Sequence, residues 1–542
     1  VTHWEPTQEG HPRRWLILGV LLSSLLIVVL DNTVLNIALP TIQADLNASQ
    51  SQLIWAVDSY ILFFAAFLFT WGALGDRYGR KRILIIGMVI FGVASAICAF
   101  SADARMLIGF RAIMGLGGAA VLPTTLAIIT VVFPRHERGK AIGTWAGAVG
   151  AAVALGPVLG GVLLQYPQLF NWLTGNNWGA VFLINVPIVL VGVFGIVRVV
   201  PETKSEQSRP LDIPGLLISI TGLTLLIYGI IHASETLNWL SPSVILPIVA
   251  GVLIITLFIW LEARSKHASF DVRLFRNRGY SVSLAAVSLS FFALSGITFS
   301  IPFYLQILRG YDTITAGLCF IPFALGQIIA APRSAQMVTR FGYRAVMTVG
   351  LLCVALALLG LTVTAIDTPI WLVLVYFLIF GLGMGNVIAP ASTVMQNTLP
   401  MHQVGAGSAV QNTVRQVGGA LGIAIIGTVI ATQYASKLRS VFTDIPGAPA
   451  DLQAAAQQSI VATNQLFNEL PADSEIPIEA LRAGAYEAFL SAAHTATLIS
   501  FTGVVVAALL VAFVLPKITP PSDSALTPPV GDGKAPVPSE GA

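Results

Sequence analysis

Runs of about twenty apolar residues recur from one end of this 542-residue chain to the other. Each run is long enough to cross roughly 30 Å of hydrocarbon. Lipid offers no partner to backbone N–H and C=O groups, so runs rich in Leu, Ile, Ala and Gly must close their hydrogen bonds internally, as helices. Only 10% of the residues are charged and the mean hydropathy is +0.81, whereas a soluble chain carries about 25% charge. The 49 glycines and 30 prolines suit a membrane bundle, where small residues let helices approach and neighbours satisfy carbonyls freed by proline. The expected fold class is therefore an all-α polytopic membrane protein. Cys98, Cys319 and Cys353 fall inside apolar runs without metal-ligand spacing and read as packing residues.

About fourteen spans are expected, starting near Trp15, Leu53, Ile83, Leu107, Ala141, Gly179, Leu211, Val244, Ser281, Thr315, Val346, Ile370, Val404 and Ala496. The first carries Asp31 and lacks a small-residue cleavage site, so it reads as a retained span. Cationic loops sort to one side: Arg13 and Arg14, then Arg77 to Arg82, Arg135 to Lys140, and Arg264 to Arg278. The positive-inside bias puts that side, and both termini, in the cytoplasm. The expected organisation is a cytoplasmic N-terminus (1–14), a six-helix bundle (15–200), two additional helices (211–261) and a second six-helix bundle (280–516). A polar extracellular insert (433–493) with two short helices interrupts the second bundle, and a disordered cytoplasmic tail (517–542) follows it.

An internal repeat supports two related halves. Phe133-Pro134-Arg135-His136-Glu137-Arg138-Gly139 echoes Leu399-Pro400-Met401-His402-Gln403-Val404-Gly405. Gly115-Leu116-Gly117 returns as Gly381-Leu382-Gly383, and Arg77-Tyr78-Gly79-Arg80 returns, with a small slip, as Arg340-Phe341-Gly342-Tyr343-Arg344. Paired halves with a site between them are what alternating access requires.

A charge inside a span costs about 2.5–3.5 kcal/mol on insertion scales, so it needs a physical reason. Asp31, Asp58 and Arg111 enter the first, second and fourth spans within one half of the chain. Two readings stand: an Asp–Arg pair that merely neutralises itself, or a carboxylate in a wet cavity that takes a proton or a substrate cation. Asp58 is the stronger candidate for the second role and Asp31 follows it. In Gly72-Ala73-Leu74-Gly75-Asp76-Arg77-Tyr78-Gly79-Arg80, glycine permits a tight turn. Asp76 there either caps the next helix or pairs across the interface between halves; Gly72, Asp76, Arg77, Gly79 and Arg80 form the expected conformational gate. Gly156, Pro157, Gly160 and Gly161 in span five make a flat, bendable helix face, serving as packing or as a hinge. Trp55, Tyr60, Tyr304, Tyr376 and Arg415 are candidates for lining a cavity, the rings by stacking on flat organic cations.

These segments resemble the fourteen-span drug:proton antiporter branch of the major facilitator superfamily, over about Trp15 to Lys517. The most specific matches are Leu30-Asp31-Asn32-Thr33-Val34-Leu35-Asn36-Ile37-Ala38-Leu39-Pro40, the Gly72–Arg82 loop, Arg111 with Gly115 and Gly117, and Gly156-Pro157 with Gly160-Gly161. Phe182-Leu183-Ile184-Asn185-Val186-Pro187 and Tyr304-Leu305-Gln306 belong with them. The resemblance implies a major facilitator fold of two pseudo-symmetric six-helix bundles plus two extra helices. It further implies proton-driven export of amphipathic cationic drugs or biocides from the bacterial cytoplasm by a monomeric carrier in the inner membrane. Trp55-Ala56-Val57-Asp58-Ser59-Tyr60 is similar to the subset that handles quaternary ammonium compounds, and Arg111 and the Gly-Pro stretch would serve coupling and gating. Span ten, around Gly317-Leu318-Cys319, lacks the acidic residue some relatives use for divalent cations.

Other classes fare worse. An exporter of an endogenous metabolite, lipid or siderophore would share the same mechanism, while a channel or uniporter has no need of paired halves. No phosphate-cradling Gly-rich loop followed by Lys-Ser or Lys-Thr is present, so ATP hydrolysis has no basis. The insert is too short to be an enzyme, and the cations sit in short loops that do not suit nucleic acid. The expected partners are a small organic cation, protons and the bilayer, with no cofactor or metal.

Overall fold

The structure is a computed structural model that describes residues 10–204, 213–264, 272–397, 404–444, 453–454, 456–469 and 477–517. The described residues are almost entirely helical. The first half comprises α1 (Arg14–Leu46), α2 (Gln50–Tyr78), α3 (Arg80–Ala99), α4 (Ala104–Gly118), α5 (Val121–Val132), α6 (Arg135–Gln165), the short α7 (Asn171–Thr174) and α8 (Ala180–Leu183), and α9 (Asn185–Val199). A hairpin of α10 (Ile213–Thr236) and α11 (Pro242–Arg264) follows. The second half contains α12 (Arg278–Phe303), α13 (Thr313–Leu318), α14 (Ile321–Leu361), α15 (Ile370–Asn397), α16 (Val404–Asp444), α17 (Ile460–Glu469) and α18 (Ile478–Val514). Among the described residues twelve helices are long and apolar enough to cross a membrane. The 49-residue stretch Thr313–Leu361 counts as one of these, although Gly342 breaks it at φ 81°.

The repeat seen in the sequence has a packing cause. A Cβ on Gly115 would strike the carbonyl of Tyr60 in α2, and one on Gly117 would strike the α3 backbone at Gly87 and Phe91. In the second half Gly381 meets the carbonyl of Phe323 and Gly383 meets Gly350 and Val354 of α14 in the same manner. Glycine thus lets one helix lie against two neighbours at backbone distance in each bundle. The turn residues match as well, with Gly79 at φ 109° and Gly342 at φ 81°, both left-handed. The third repeated motif reaches residues 399–403, which lie outside the described residues.

Hydrogen bonds between loops define two faces. On one, His11 N–H donates to the Val132 carbonyl, and Arg80 N–H to Thr203. On the other, Asn176 Nδ2 donates to the Ala99 carbonyl and Asn177 N–H to Asp45. The first is called the Gly79 face below, the second the opposite face. The α10–α11 hairpin closes tightly because Gly251 lies on Gly222 and Leu226. It packs through α10 on α2 and α16 and leaves Leu246 and Leu253 of α11 more than 60% exposed, as a lipid-facing helix requires.

The insert carries one short helix, α17, within the expected Asp451–Leu470 part, but the expected second one belongs to a long helix. Its ends are continuations of α16 to Asp444 and of α18 back to Ile478. Tyr434, Leu438 and Phe442 recur every four residues on α16 and are buried, as are Leu481, Ala485 and Phe489 on α18. Helical periodicity of this kind buries one stripe against a partner helix, and so carries both helices past the apolar core. Tyr434 Oη and Thr463 Oγ1, 2.6 Å apart, hold α17 to α16, and Gln465 Nε2 donates to the Ala44 carbonyl of α1. Residues 445–452, 455 and 470–476 of the insert and the tail beyond residue 517 lie outside the described residues.

Candidate functional site

The three intramembrane charges of the first half divide between two places. Asp31, 1% exposed, and Arg111, 0% exposed, form an ion pair of 2.5 Å between α1 and α4. Arg111 Nε also donates to the Ala56 carbonyl, and its guanidinium lies 4.4 Å from the centroid of the Tyr60 ring. Tyr60 is consequently a wall of this pair. The other oxygen of Asp31 accepts from Asn185 Nδ2 at 3.0 Å, and Asn185 bonds Ser95, whose hydroxyl donates to the Phe182 carbonyl. A charge pair in low dielectric persists only when its remaining lone pairs are satisfied. Asn185 and Ser95 meet that need for the carboxylate, while Arg111 Nη2 has no hydrogen-bond partner among the described residues. Sequence reasoning did not assign Asn185 and Ser95 to the site. The available signal was two polar residues within otherwise apolar spans.

Asp58 stands apart from this pair. It is wholly buried, and neither carboxylate oxygen has a hydrogen-bond partner among the described residues. On α2 it lies one turn beyond Ile54, which packs on Gly427 of α16, in the second half. A helix advances about 100° per residue, so Asp58 points away from Ala56 and Tyr60 and toward the seam shared with α16. The expected wet cavity around these carboxylates is not open in this conformation.

The gate loop follows α2. Asp76 accepts from Arg80 Nε and Nη2 at 3.1 and 2.8 Å, so it pairs within its own loop and not across the halves. Arg80 Nη1 reaches the Ala127 carbonyl, Arg77 is exposed over the Tyr78 ring, and Gly72 makes ordinary contact with Pro123. A buried residue missed in the sequence organises the turn: Glu202, just after α9, accepts from Lys81 N–H at 3.1 Å and lies 3.6 Å from Arg82 Nε. A Cβ on Gly79 would overlap its carboxylate. Gly79→Ala is therefore expected to lower thermal stability by about 1–3 kcal/mol, through both the left-handed backbone and displacement of Glu202. Thermal unfolding of the purified carrier measures it.

The glycines of α6 serve two neighbours. Gly156 and Gly160 lie against Thr33 and Val34 of α1, inside the Leu30–Pro40 motif. Gly161 meets the backbone of Thr313 and Ile314, and the Pro157 carbonyl sits against Gly317. Thr313 Oγ1 donates to the Gly161 carbonyl at 2.8 Å, and Gln306 Nε2 donates to the Ile37 carbonyl at 2.9 Å. The contacts of Thr313, Ile314 and Gly317 with α6 and of Gln306 with α1 join the halves and lie toward the opposite face. Gln306 projects from a π-helical turn, Tyr304–Leu308, an irregularity common at functional positions.

The remaining candidates scatter. Tyr304 Oη donates to the Ala365 carbonyl, Tyr376 packs on Gly360, and Trp55 is half-buried against the core. Arg415 lies 5.1 Å from the Phe291 ring centroid on α12. Among the described residues no group of three His, Cys, Asp or Glu side chains could hold a metal.

Comparison with known proteins accords with this architecture. Residues 21–423 match the model of the Major Facilitator Superfamily. The chain is 33% identical to the "Multidrug efflux pump LfrA" of Mycolicibacterium smegmatis over 86% of its own length and 90% of the relative's. It is 31% identical to the "Tetracenomycin C resistance and export protein" of Streptomyces glaucescens, covering 82% and 81%. With the "Methyl viologen resistance protein SmvA" of Salmonella typhimurium it shares 32% identity, covering 85% and 90%. Among solved structures, a bacterial homologue of the human lysosomal transporter Spinster, inward-facing and unoccupied, superposes with a TM-score of 0.66 at 16% identity, covering 93% and 97%. The inward-open xylose transporter XylE of E. coli gives 0.56 at 15% identity, covering 93% and 97%. The two pseudo-symmetric helical bundles and the matched family model place this membrane carrier in the Major Facilitator Superfamily.

Proposed function

We propose that the protein is a proton-coupled antiporter that exports amphipathic cationic drugs or biocides across the bacterial cytoplasmic membrane. The observation that carries the reading is Asp58, a buried carboxylate without a donor, on the helix that meets α16 of the other half. An ionised carboxylate enclosed in this way is costly, and the protonated form costs much less. Parting the α2–α16 seam would admit water to Asp58 and let its proton leave; resealing would require a proton back. Proton occupancy and the arrangement of the halves are then linked. The Asp31–Arg111 pair holds α1 to α4 through this movement and supplies a second coupling group. Relatives described as multidrug, tetracenomycin C and methyl viologen resistance proteins support export as the direction.

The cationic Gly79 face lies in the cytoplasm under this reading, with both termini on that side. Dividing Thr313–Leu361 at Gly342 and including α6 raises the crossings from twelve to fourteen, with α10 and α11 as the additional pair. Bonds between halves on the opposite face close the outer exit, while Asp76 turns to its own loop, as an inward-facing carrier requires.

In reconstituted vesicles, an imposed pH gradient is expected to drive ethidium counter-transport accompanied by proton movement. Asp58→Asn should lower both by at least about tenfold. Undiminished, gradient-independent ethidium movement by that variant would overturn the proposal.

A further inference from the structure

Arg415, deep in a span of the second half, has no counter-charge among the described residues. Arg415 lies eleven residues into α16 from Val404, about 16 Å at 1.5 Å per residue. That is near the middle of a hydrocarbon layer about 30 Å thick, too deep for the guanidinium to reach the headgroups along its own stem. Among the described residues no carboxylate pairs with it, and its Nε, shielded from solvent, has no acceptor. Its guanidinium lies over the Phe291 ring. Both side chains are half-buried.

The surrounding helix is built for a polar guest. Gln411, Asn412, Arg415 and Gln416 fall within about 140° of the helix circumference, while Val410, Val414, Val417 and Leu421 take the other side. The polar arc turns toward α12, on which Gly418 and Gly422 pack at Ser288 and Phe292. Gln411 Nε2 bonds Ser392 of α15 at 2.7 Å, bracing the arc from a third helix. A buried cation without a partner costs several kcal/mol. Arg111, by contrast, is paired with Asp31.

We propose that Arg415 and Phe291 form an oxyanion-recognition site for the cargo, so that substrates include flat amphiphiles bearing a carboxylate or similar acidic oxygen beside their positive charge. The guanidinium takes the oxyanion in a bidentate, charge-assisted contact, and the Phe291 ring provides an apolar wall for the adjoining scaffold. This rests on the export reading and narrows its substrate class from simple cations to dipolar molecules.

A matched dye pair tests it. Rhodamine 110 carries a free carboxylate, and rhodamine 123 is its methyl ester. Binding to the purified full chain in phosphatidylcholine nanodiscs is read by fluorescence polarisation. Arg415→Gln should weaken rhodamine 110 by at least about tenfold, the worth of one charge-assisted hydrogen bond, and leave rhodamine 123 within about twofold. Arg415→Lys should recover part of the loss, which an unfolded variant cannot do. Equal loss of both dyes, no loss of either, or no binding of rhodamine 110 by the unsubstituted chain overturns the proposal. Binding of rhodamine 110 that disappears in phosphatidylglycerol discs also overturns it, because the anion is then a lipid headgroup. Proton-coupled ethidium transport measured in parallel separates the two readings. If it persists while the rhodamines are indifferent to Arg415, only the oxyanion site fails. If it is absent from the unsubstituted chain, export itself fails.

Discussion

Arg111→Leu is expected to destabilise the carrier by about 3–5 kcal/mol and to abolish transport. Asp31 would then be a buried charge whose only donor is Asn185, and breaking a buried pair from one side leaves the desolvation cost without its compensation. Asp31→Asn combined with Arg111→Leu removes both charges, and should recover most of the lost stability because no unpaired ion remains. Thermal unfolding in detergent reads the first effect and ethidium efflux the second. A double variant that regains stability but not transport identifies the pair as part of the coupling machinery. One that regains both reduces it to self-neutralisation, and an Arg111→Leu protein as stable as the original would contradict the burial argument itself.

Gly161→Val is expected to hold the carrier open toward the opposite face. The added side chain would occupy the position of the Thr313 and Ile314 backbone, where even a single Cβ has no room. It would also displace the Thr313 hydroxyl from the Gly161 carbonyl. Overpacking costs about 1–3 kcal/mol, enough to shift a balanced two-state equilibrium by roughly tenfold or more. A cysteine introduced at Ile314 should react with a membrane-impermeant maleimide added from that side at least about tenfold faster in the Gly161→Val background. Unchanged labelling would show that the contact between α6 and α13 does not seal the exit.

Much of the fold was legible because a bilayer leaves so few solutions. Apolar length identified a polytopic helical bundle, with twelve helices among the described residues long and apolar enough to cross where fourteen were expected, and glycines at matched positions announced the repeat. Gly115 with Gly117 and Gly381 with Gly383 prove to perform the same close approaches in their own bundles. The helical insert was less legible, since its stripe of Tyr434, Leu438 and Phe442 is interrupted by charge and polarity. The site was read only in part. Asp31 and Arg111 declared themselves by their cost, whereas Asn185, Ser95 and Glu202 are ordinary polar residues until the fold brings them to a charge or a turn.

The sequence by itself determined that this chain is a membrane helical bundle with two related halves and with ionised side chains that must be answered inside it. Those conclusions rest on transfer free energies, which depend on residue type and spacing alone. Only the tertiary structure decided which charge answers which: Asp31 takes Arg111, while Asp58 and Arg415 are left without an ionic partner among the described residues. Pairing depends on helix rotation and on contacts between residues some eighty positions apart, and helical periodicity orients a side chain about its own axis without specifying the neighbour it meets.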